Sequence, residues 1–263
     1  MILTDAFFYA LAGVFAGLMS GLMGLGGGLI VVPALLIIFR HNPAIAPQIS
    51  MQLAAGTSLA IMMFTSQAAI RAHYRLGDVL WTVYRRLAGG IIIGTIMGCV
   101  MAAYLPTSWL RWILIIVLLI VAIKMLMDVN TILPVRFPPA WVNALISWII
   151  GFKSGLLGLG GGILIIPYLT YCGVEMRKIA AVSALCTMTV AIIGTITVMI
   201  TGANEAGLPP YSTGYVYWVA VVFVSIPSAL MAPLGARLTY VLPFKYLRYG
   251  FILFLLMTII SLL

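Results

Sequence analysis

Residues 17–36 read GLMSGLMGLGGGLIVVPALL, and residues 151–170 read GFKSGLLGLGGGILIIPYLT. Eleven of the 20 positions are identical, including all six glycines of the first stretch. The landmarks are Gly17/Gly151, Ser20/Ser154, Gly21/Gly155, Gly24/Gly158, the trios Gly26, Gly27, Gly28 and Gly160, Gly161, Gly162, and Pro33/Pro167. The likeness continues downstream in the same order. Ala54–Leu59 matches Ala180–Leu185, and Gly98, Leu105-Pro106 and Arg111 match Gly235, Leu242-Pro243 and Arg248. The chain is therefore one unit written twice. Repeat 1 covers 1–128 and repeat 2 covers 140–263. The linker between them, 129–139, contains three prolines that break helix.

Composition sets the solvent. Of 263 residues, 64% are apolar and 7% are charged, against about a quarter charged in a soluble domain. Mean hydropathy is +1.21. A soluble surface needs far more polar residues, so the chain is an integral membrane protein whose first partner is the lipid bilayer. A secreted domain, a nucleic-acid binder and a cytosolic enzyme are excluded. The net charge of +9 fits basic loops held at a cytoplasmic face. Cys99, Cys172 and Cys186 lack CxxC spacing, which predicts no disulfide framework and no metal site. MILTDAFFYALAG carries no Lys or Arg before its apolar run, so it is expected to stay in the mature protein and not to act as a signal peptide.

Each copy has four apolar stretches, near 6–39, 50–70, 84–104 and 108–127, then 140–171, 179–201, 214–240 and 244–263. Most match the ~20 residues of one crossing. The first stretch of each copy is too long for one crossing, too short for two, and interrupted by a glycine trio, and glycine costs about 1 kcal/mol in a helix. The expected fold is an all-α membrane protein of two inverted repeats. Each repeat holds one broken re-entrant helix pair and three transmembrane helices.

Charge counting favours that topology. With re-entrant pairs, one face carries Arg71, Arg75, Arg85, Arg86, Lys124, Arg136, Arg177, Lys178, Arg237, Lys245 and Arg248, and the other only Arg40 and Arg111. If all eight stretches cross, the same residues split almost evenly. The positive-inside rule selects the first arrangement and places both termini outside, on the extracytoplasmic side.

Non-helical backbone at membrane depth must lie inside protein or beside a water-filled cavity. A half-helix starting at a glycine trio presents bare N–H groups and about half a positive charge, and glycine lets an anion come close. The expected partner is a small anionic substrate held by Gly24, Gly26, Gly27, Gly28, Gly158, Gly160, Gly161 and Gly162. Ser20 and Ser154 either donate to that anion or bond their own helix carbonyls. Thr57 and Ser183 match across the copies and rank first among the polar groups within crossings. Lys153, opposite Met19, either places a fixed charge beside the anion or snorkels to the surface. The glycines spaced four apart at Gly90, Gly94 and Gly98 predict helix packing. The acidic residues Asp5, Asp78, Asp128, Glu175 and Glu205 lie at segment ends or in loops, so no carboxylate stands ready for a proton relay.

The doubled GLxGLGGGxxxxP element resembles the sulfite exporter TauE/SafE family of bacterial transporters, over the whole chain. The resemblance implies export of sulfite or a related organosulfonate across the bacterial inner membrane by alternating access, with no cofactor. Its glycine-rich elements fall on Gly24–Gly28 with Pro33 and on Gly158–Gly162 with Pro167. Sulfate, thiosulfate or a carboxylate remain alternative substrates, and the oligomeric state is open. An intramembrane serine hydrolase would need a base in reach of Ser20 or Ser154, and Lys153 points about 100° away from Ser154 on a helix. A non-transporting scaffold has little use for broken helices.

Overall fold

A computed structural model of the chain describes residues 2–23, 26–43, 45–75, 80–126, 137–174, 176–205, 207–238 and 256–260. The helices are α1 (Ile2–Met23), α2 (Gly28–Arg40), α3 (Ser50–Arg75), α4 (Trp81–Tyr104), α5 (Thr107–Leu126), α6 (Ala140–Leu157), α7 (Gly162–Tyr171), α8 (Met176–Thr201) and α9 (Trp218–Leu238). Residues 256–260 are also helical. A 3-10 turn, Pro47–Ile49, leads into α3. Between α8 and α9, β1 (Ser212–Thr213) and β2 (Val216–Tyr217) form a short antiparallel hairpin. Most of the linker, and Leu242-Pro243, Lys245 and Arg248, lie outside the described residues.

The elements end where the chain chemistry ends them. Leu105 is extended before Pro106, as a residue preceding proline prefers. Pro139 stands immediately before α6. Pro33 and Pro167 sit inside α2 and α7, each removing one ladder bond, which a membrane helix tolerates inside protein.

Among the described residues, five helices are long and apolar enough to cross a membrane. Two of them, α3 and α8, form the centre: 72% of their best apolar window is buried inside the protein, against 39–44% for α4, α6 and α9. The outer helices show large apolar side chains such as Ile93, Ile96, Trp112, Ile116 and Leu145 on their exposed faces, as lipid requires.

Small residues hold the outer helices to their neighbours, and always across the two copies. On α1, Gly13, Gly17 and Gly21 lie against Val224, Ser228 and Ala232 of α9. On α4, Gly90, Gly94 and Gly98 lie against Ser147, Trp148 and Phe152 of α6. An added Cβ would meet backbone oxygen at 2.3 Å from Gly17, 2.2 Å from Gly94 and 2.1 Å from Gly98. The backbones therefore touch, as the fourfold glycine spacing predicts.

The same contacts give helix direction. Residue numbers rise together along α1 and α9 and along α4 and α6, so each pair is parallel. Thr65 bonds Ser228 at 2.9 Å and Gly56 faces Tyr215, so α3 runs with α9. Between α3 and α8 the order reverses: Leu59 faces Gly194, whereas Ser66 reaches Met188. Tyr84 reaches Thr189 and Thr95 faces Gly194, so α4 runs with α8. Thus α1, α3 and α9 point one way and α4, α6 and α8 the other. Since α1 and α3 agree, α2 brings the chain back to the side where α1 began. By the same reasoning α7 returns after α6.

Adjacent glycines on α4 separate packing from propensity. A Cβ on Gly90 would lie 2.6 Å from Ser147 Cβ and 2.8 Å from Ala144 O, while Gly89 has open space. Gly90→Ala is expected to cost about 1–3 kcal/mol of overpacking, and Gly89→Ala to be neutral or to stabilise by up to about 1 kcal/mol. Thermal melting of the purified protein in detergent reads both, and equal melting temperatures would refute the seam.

Candidate functional site

Both helix breaks are made of glycine in backbone conformations that other residues avoid. Gly26 and Gly27 have φ of 75° and 79°, and Gly158 and Gly160 have φ of 67° and 76°. A side chain there costs about 1–2 kcal/mol. The chain thus leaves α1, turns left-handed and restarts as α2 at Gly28; it leaves α6 at Gly158 and restarts as α7 at Gly162.

The two breaks meet. A Cβ on Gly28 would lie 2.6 Å from the Gly158 carbonyl oxygen and 2.9 Å from that of Leu159. Gly158 in turn presses on Ala55 of α3, and Gly26 presses on Thr187 of α8 and Met62 of α3. Each break is therefore seated on a central helix of the opposite copy, and both are buried.

Their hydrogen bonding is one-sided. The Gly27 carbonyl accepts from the amides of Ile30 and Val31, both at 3.0 Å. The Gly161 carbonyl accepts from Leu164 and Ile165. The Gly158 carbonyl accepts from Ser58 Oγ at 2.9 Å, and the Gly160 carbonyl from Ser154 Oγ at 3.0 Å. Among the described residues, no acceptor meets the amides of Gly28, Leu29, Gly162 or Ile163. These four carbonyls are answered and the amides at the starts of α2 and α7 are not, so each helix start presents donors, reinforced by its helix dipole.

The expected site residues are distributed as follows. Gly24 lies outside the described residues. Gly26, Gly27, Gly28, Gly158, Gly160, Gly161 and Gly162 form the paired breaks. Ser20 is fully buried and its hydroxyl has no partner. Ser154 also donates to the Ile150 carbonyl at 2.6 Å, so it braces its own helix end. Lys153, half-buried, lines with Ser154, Gly160 and Ile163 a cavity of about 10 Å³, about the least that holds one water. Ser183 is buried within α8. Thr57 accepts a hydrogen bond from the Tyr217 amide at 3.0 Å, which ties α3 to the hairpin and not to the breaks.

Two neighbours of the breaks, Ser58 and Thr187, stand among the polar groups within crossings that the sequence ranks below Thr57 and Ser183. Ser58, next to Thr57, holds the Gly158 carbonyl. Thr187 packs its methyl on Gly26, and its hydroxyl is buried without a partner. Position 187 matches Ile61 of the other copy, so repeat matching passes over it.

The hairpin closes one end of the α3–α8 pair. Tyr215 packs on Gly56 and Gly202, its amide donates to the Val198 carbonyl, and its hydroxyl donates to Glu205 at 3.0 Å. Burial first, and the Glu205 carboxylate second, push the Tyr215 phenol up to about 12.

The family model described as sulfite exporter TauE/SafE matches residues 9–262. The chain belongs to this family. A Haemophilus influenzae protein named a probable membrane transporter protein is 31% identical over 252 residues, covering 95% of each chain. A Methanocaldococcus jannaschii protein named in the same words is 27% identical, covering 90% of this chain and 88% of its own. A Bacillus subtilis relative, again a probable membrane transporter protein, is 27% identical over 66% of this chain and 70% of its own. No solved structure matches the chain.

Two substitutions test how the breaks are seated. Gly26→Ala places a Cβ 2.1 Å from Thr187 Cγ2 at a left-handed φ. Removing that methyl with Thr187→Ser is expected to restore part of the lost melting temperature and never all of it, because about 1–2 kcal/mol of backbone strain remains; complete recovery would contradict the strain. Ser58→Ala leaves the Gly158 carbonyl buried without its donor, and should lower stability by about 1–3 kcal/mol in the same melting assay.

Proposed function

We propose that this protein moves a small sulfur-containing anion, sulfite or an organosulfonate, across the bacterial inner membrane by alternating access. One observation carries the reading: among the described residues the amides that open α2 and α7 meet no acceptor, whereas the Gly27, Gly158, Gly160 and Gly161 carbonyls beside them have donors. A cation site would need the reverse. The family's description and the names of the relatives agree with transport. Sulfate, thiosulfate and small carboxylates share the same charge and acceptor oxygens, and stand as the alternative substrates.

The helix directions support an inverted repeat. The matched pairs α1 and α6, α3 and α8, and α4 and α9 run in opposite senses, and broken helices in inverted repeats are a recurrent basis for a midplane site. The basic residues support an orientation. Arg71 at the end of α3, Arg85 and Arg86 at the start of α4, Lys178 at the start of α8 and Arg237 at the end of α9 share one face. Arg40 and Arg111 share the other. The first face is assigned to the cytoplasm, which puts both termini outside.

The space beside Lys153 takes about one water, too little for an oxyanion. Alternating access then requires the breaks to part toward each face in turn. Against a Ser–Lys hydrolase stands the Ser154 hydroxyl, which donates to main-chain carbonyls.

Liposomes loaded with sulfite are expected to lose it faster with the protein than without. Equal rates for sulfite, sulfate, thiosulfate and sulfonates would end the proposal. Lys153→Met removes a charge-assisted contact worth about 1.5–3 kcal/mol if the ammonium meets the anion. The half-saturating concentration should then rise roughly tenfold or more. Unchanged flux kinetics would return Lys153 to a surface role.

A further inference from the structure

A second polar space lies away from the breaks. A cavity of about 330 Å³ sits between the end of α2, the turn before α3 and the first part of α5. Small-molecule sites span about 300–1,000 Å³, so this one suits a small solute. Leu36, Phe39 and Ile45 give it apolar walls, and Arg40, Arg111 and Ser50 are its polar lining.

The polar side chains of that lining, Arg40, Arg111 and Ser50, all carry donors. Arg40 ends α2, and Arg111 lies one turn beyond Thr107 on α5. Helix α3 begins at Ser50, which lines the cavity, so the positive end of its dipole lies there. Among the described residues, no carboxylate lines the cavity. The Ser50 hydroxyl donates to the Pro47 carbonyl at 2.9 Å.

Arg111 supplies the decisive detail. Its Nε is buried and has no hydrogen-bond partner. A buried donor without an acceptor costs about 1–3 kcal/mol, and more when charged. Arg111 is half-buried, and of its guanidinium nitrogens only Nε is buried without a partner. Arg111 is also held in place. Thr107 Oγ1 donates to Gln52 Oε1 at 2.8 Å, and Gln52 Nε2 donates to the Leu105 carbonyl at 2.8 Å, fixing the start of α5 against α3. Residues four apart share a helix face, so the tether at Thr107 sets the face that Arg111 presents. Complementing the α2 dipole accounts for Arg40 and leaves Arg111 unexplained.

We infer that this cavity is an oxyanion-binding vestibule, in which Arg111 and Arg40 hold a free solute on the face that also carries the hairpin. Its place on a transport route rests on the function proposed above; its capacity to bind does not. Phe39 lines the cavity and meets Tyr217 edge-on at 6.1 Å. Tyr217 is bonded to Thr57, so the vestibule wall is continuous with the central helix α3.

A solute oxyanion and a lipid phosphate share the chemistry the cavity recognises, and the experiment separates them. The protein is placed in nanodiscs of phosphatidylcholine alone or with phosphatidylglycerol. Labelling of each arginine by phenylglyoxal is followed by peptide mass spectrometry, with sulfate as the probe and chloride at matched ionic strength as control. Sulfate should slow labelling of Arg111 and Arg40 at least fivefold in phosphatidylcholine, and chloride should not. In Arg111→Gln the protection of Arg40 should vanish, whereas Arg111→Lys should keep part of it. Equal labelling of the unaltered protein with and without sulfate overturns the vestibule, and so does protection that appears only with phosphatidylglycerol. Protection without liposome flux would keep the vestibule and sink the transport reading; flux without protection would do the opposite.

Discussion

Inside hydrocarbon every peptide group must find a partner, and a chain that interrupts two helices there exposes many at once. The carbonyls of Gly27, Gly158, Gly160 and Gly161 are taken by following amides and by two serines, Ser58 and Ser154. The amides opening α2 and α7 receive nothing of the kind. An acceptor-rich solute is the natural complement to such a surface, because it supplies what the protein leaves out and is favoured by both dipoles. The sign of the expected cargo therefore follows from which half of the peptide bond is left over.

That polarity is useful only if the breaks stay together, and the two copies arrange this for each other. Gly26 rests on Thr187 and Gly158 on Ala55, each on a central helix of the other repeat. The outer helices are crossed in the same way, α1 lying on α9 and α4 on α6 with backbone touching backbone. Lipid offers no hydrophobic drive for joining helices, so close van der Waals contact along glycine must do it. The seams that permit this contact and the breaks that form the site thus draw on the same residue for different properties: lack of a side chain at Gly94, and freedom to adopt positive φ at Gly26.

Much of this was legible in the sequence. The doubled GLGGG marks both breaks, the lengths of the apolar stretches mark the helices, and the distribution of Lys and Arg groups them onto two faces. What the sequence hid is which way a residue points on its helix. Thr57 and Ser58 are neighbours, yet one accepts from the hairpin and the other donates into the break, since adjacent helical positions diverge by about 100°. Matching the copies ranked Thr57 and Ser183 first and passed over Thr187, whose counterpart is Ile61. Matching marks one asymmetry, Lys153 against Met19, but not the backbone one: Gly27 is left-handed at 79° and its counterpart Gly161 is right-handed at −72°. Charge counting placed Arg40 and Arg111 on one face without showing that they share a cavity, because proximity across three elements leaves no trace in spacing.

The departures from symmetry bear on how such a protein would work. Ser154 bonds two carbonyls while Ser20 bonds none. Lys153 stands where the first copy has Met19, and Val174 where it has Arg40. None of this can make a path run one way, since net direction comes from a gradient or a coupled step. A protein with two exchangeable states binds its solute from each side with an affinity set by the contacts that side offers. An arginine vestibule on one face and a lysine beside one break give the two sides different contacts. The expected consequence is unequal half-saturation on the two faces, with the same equilibrium ratio once flux has stopped.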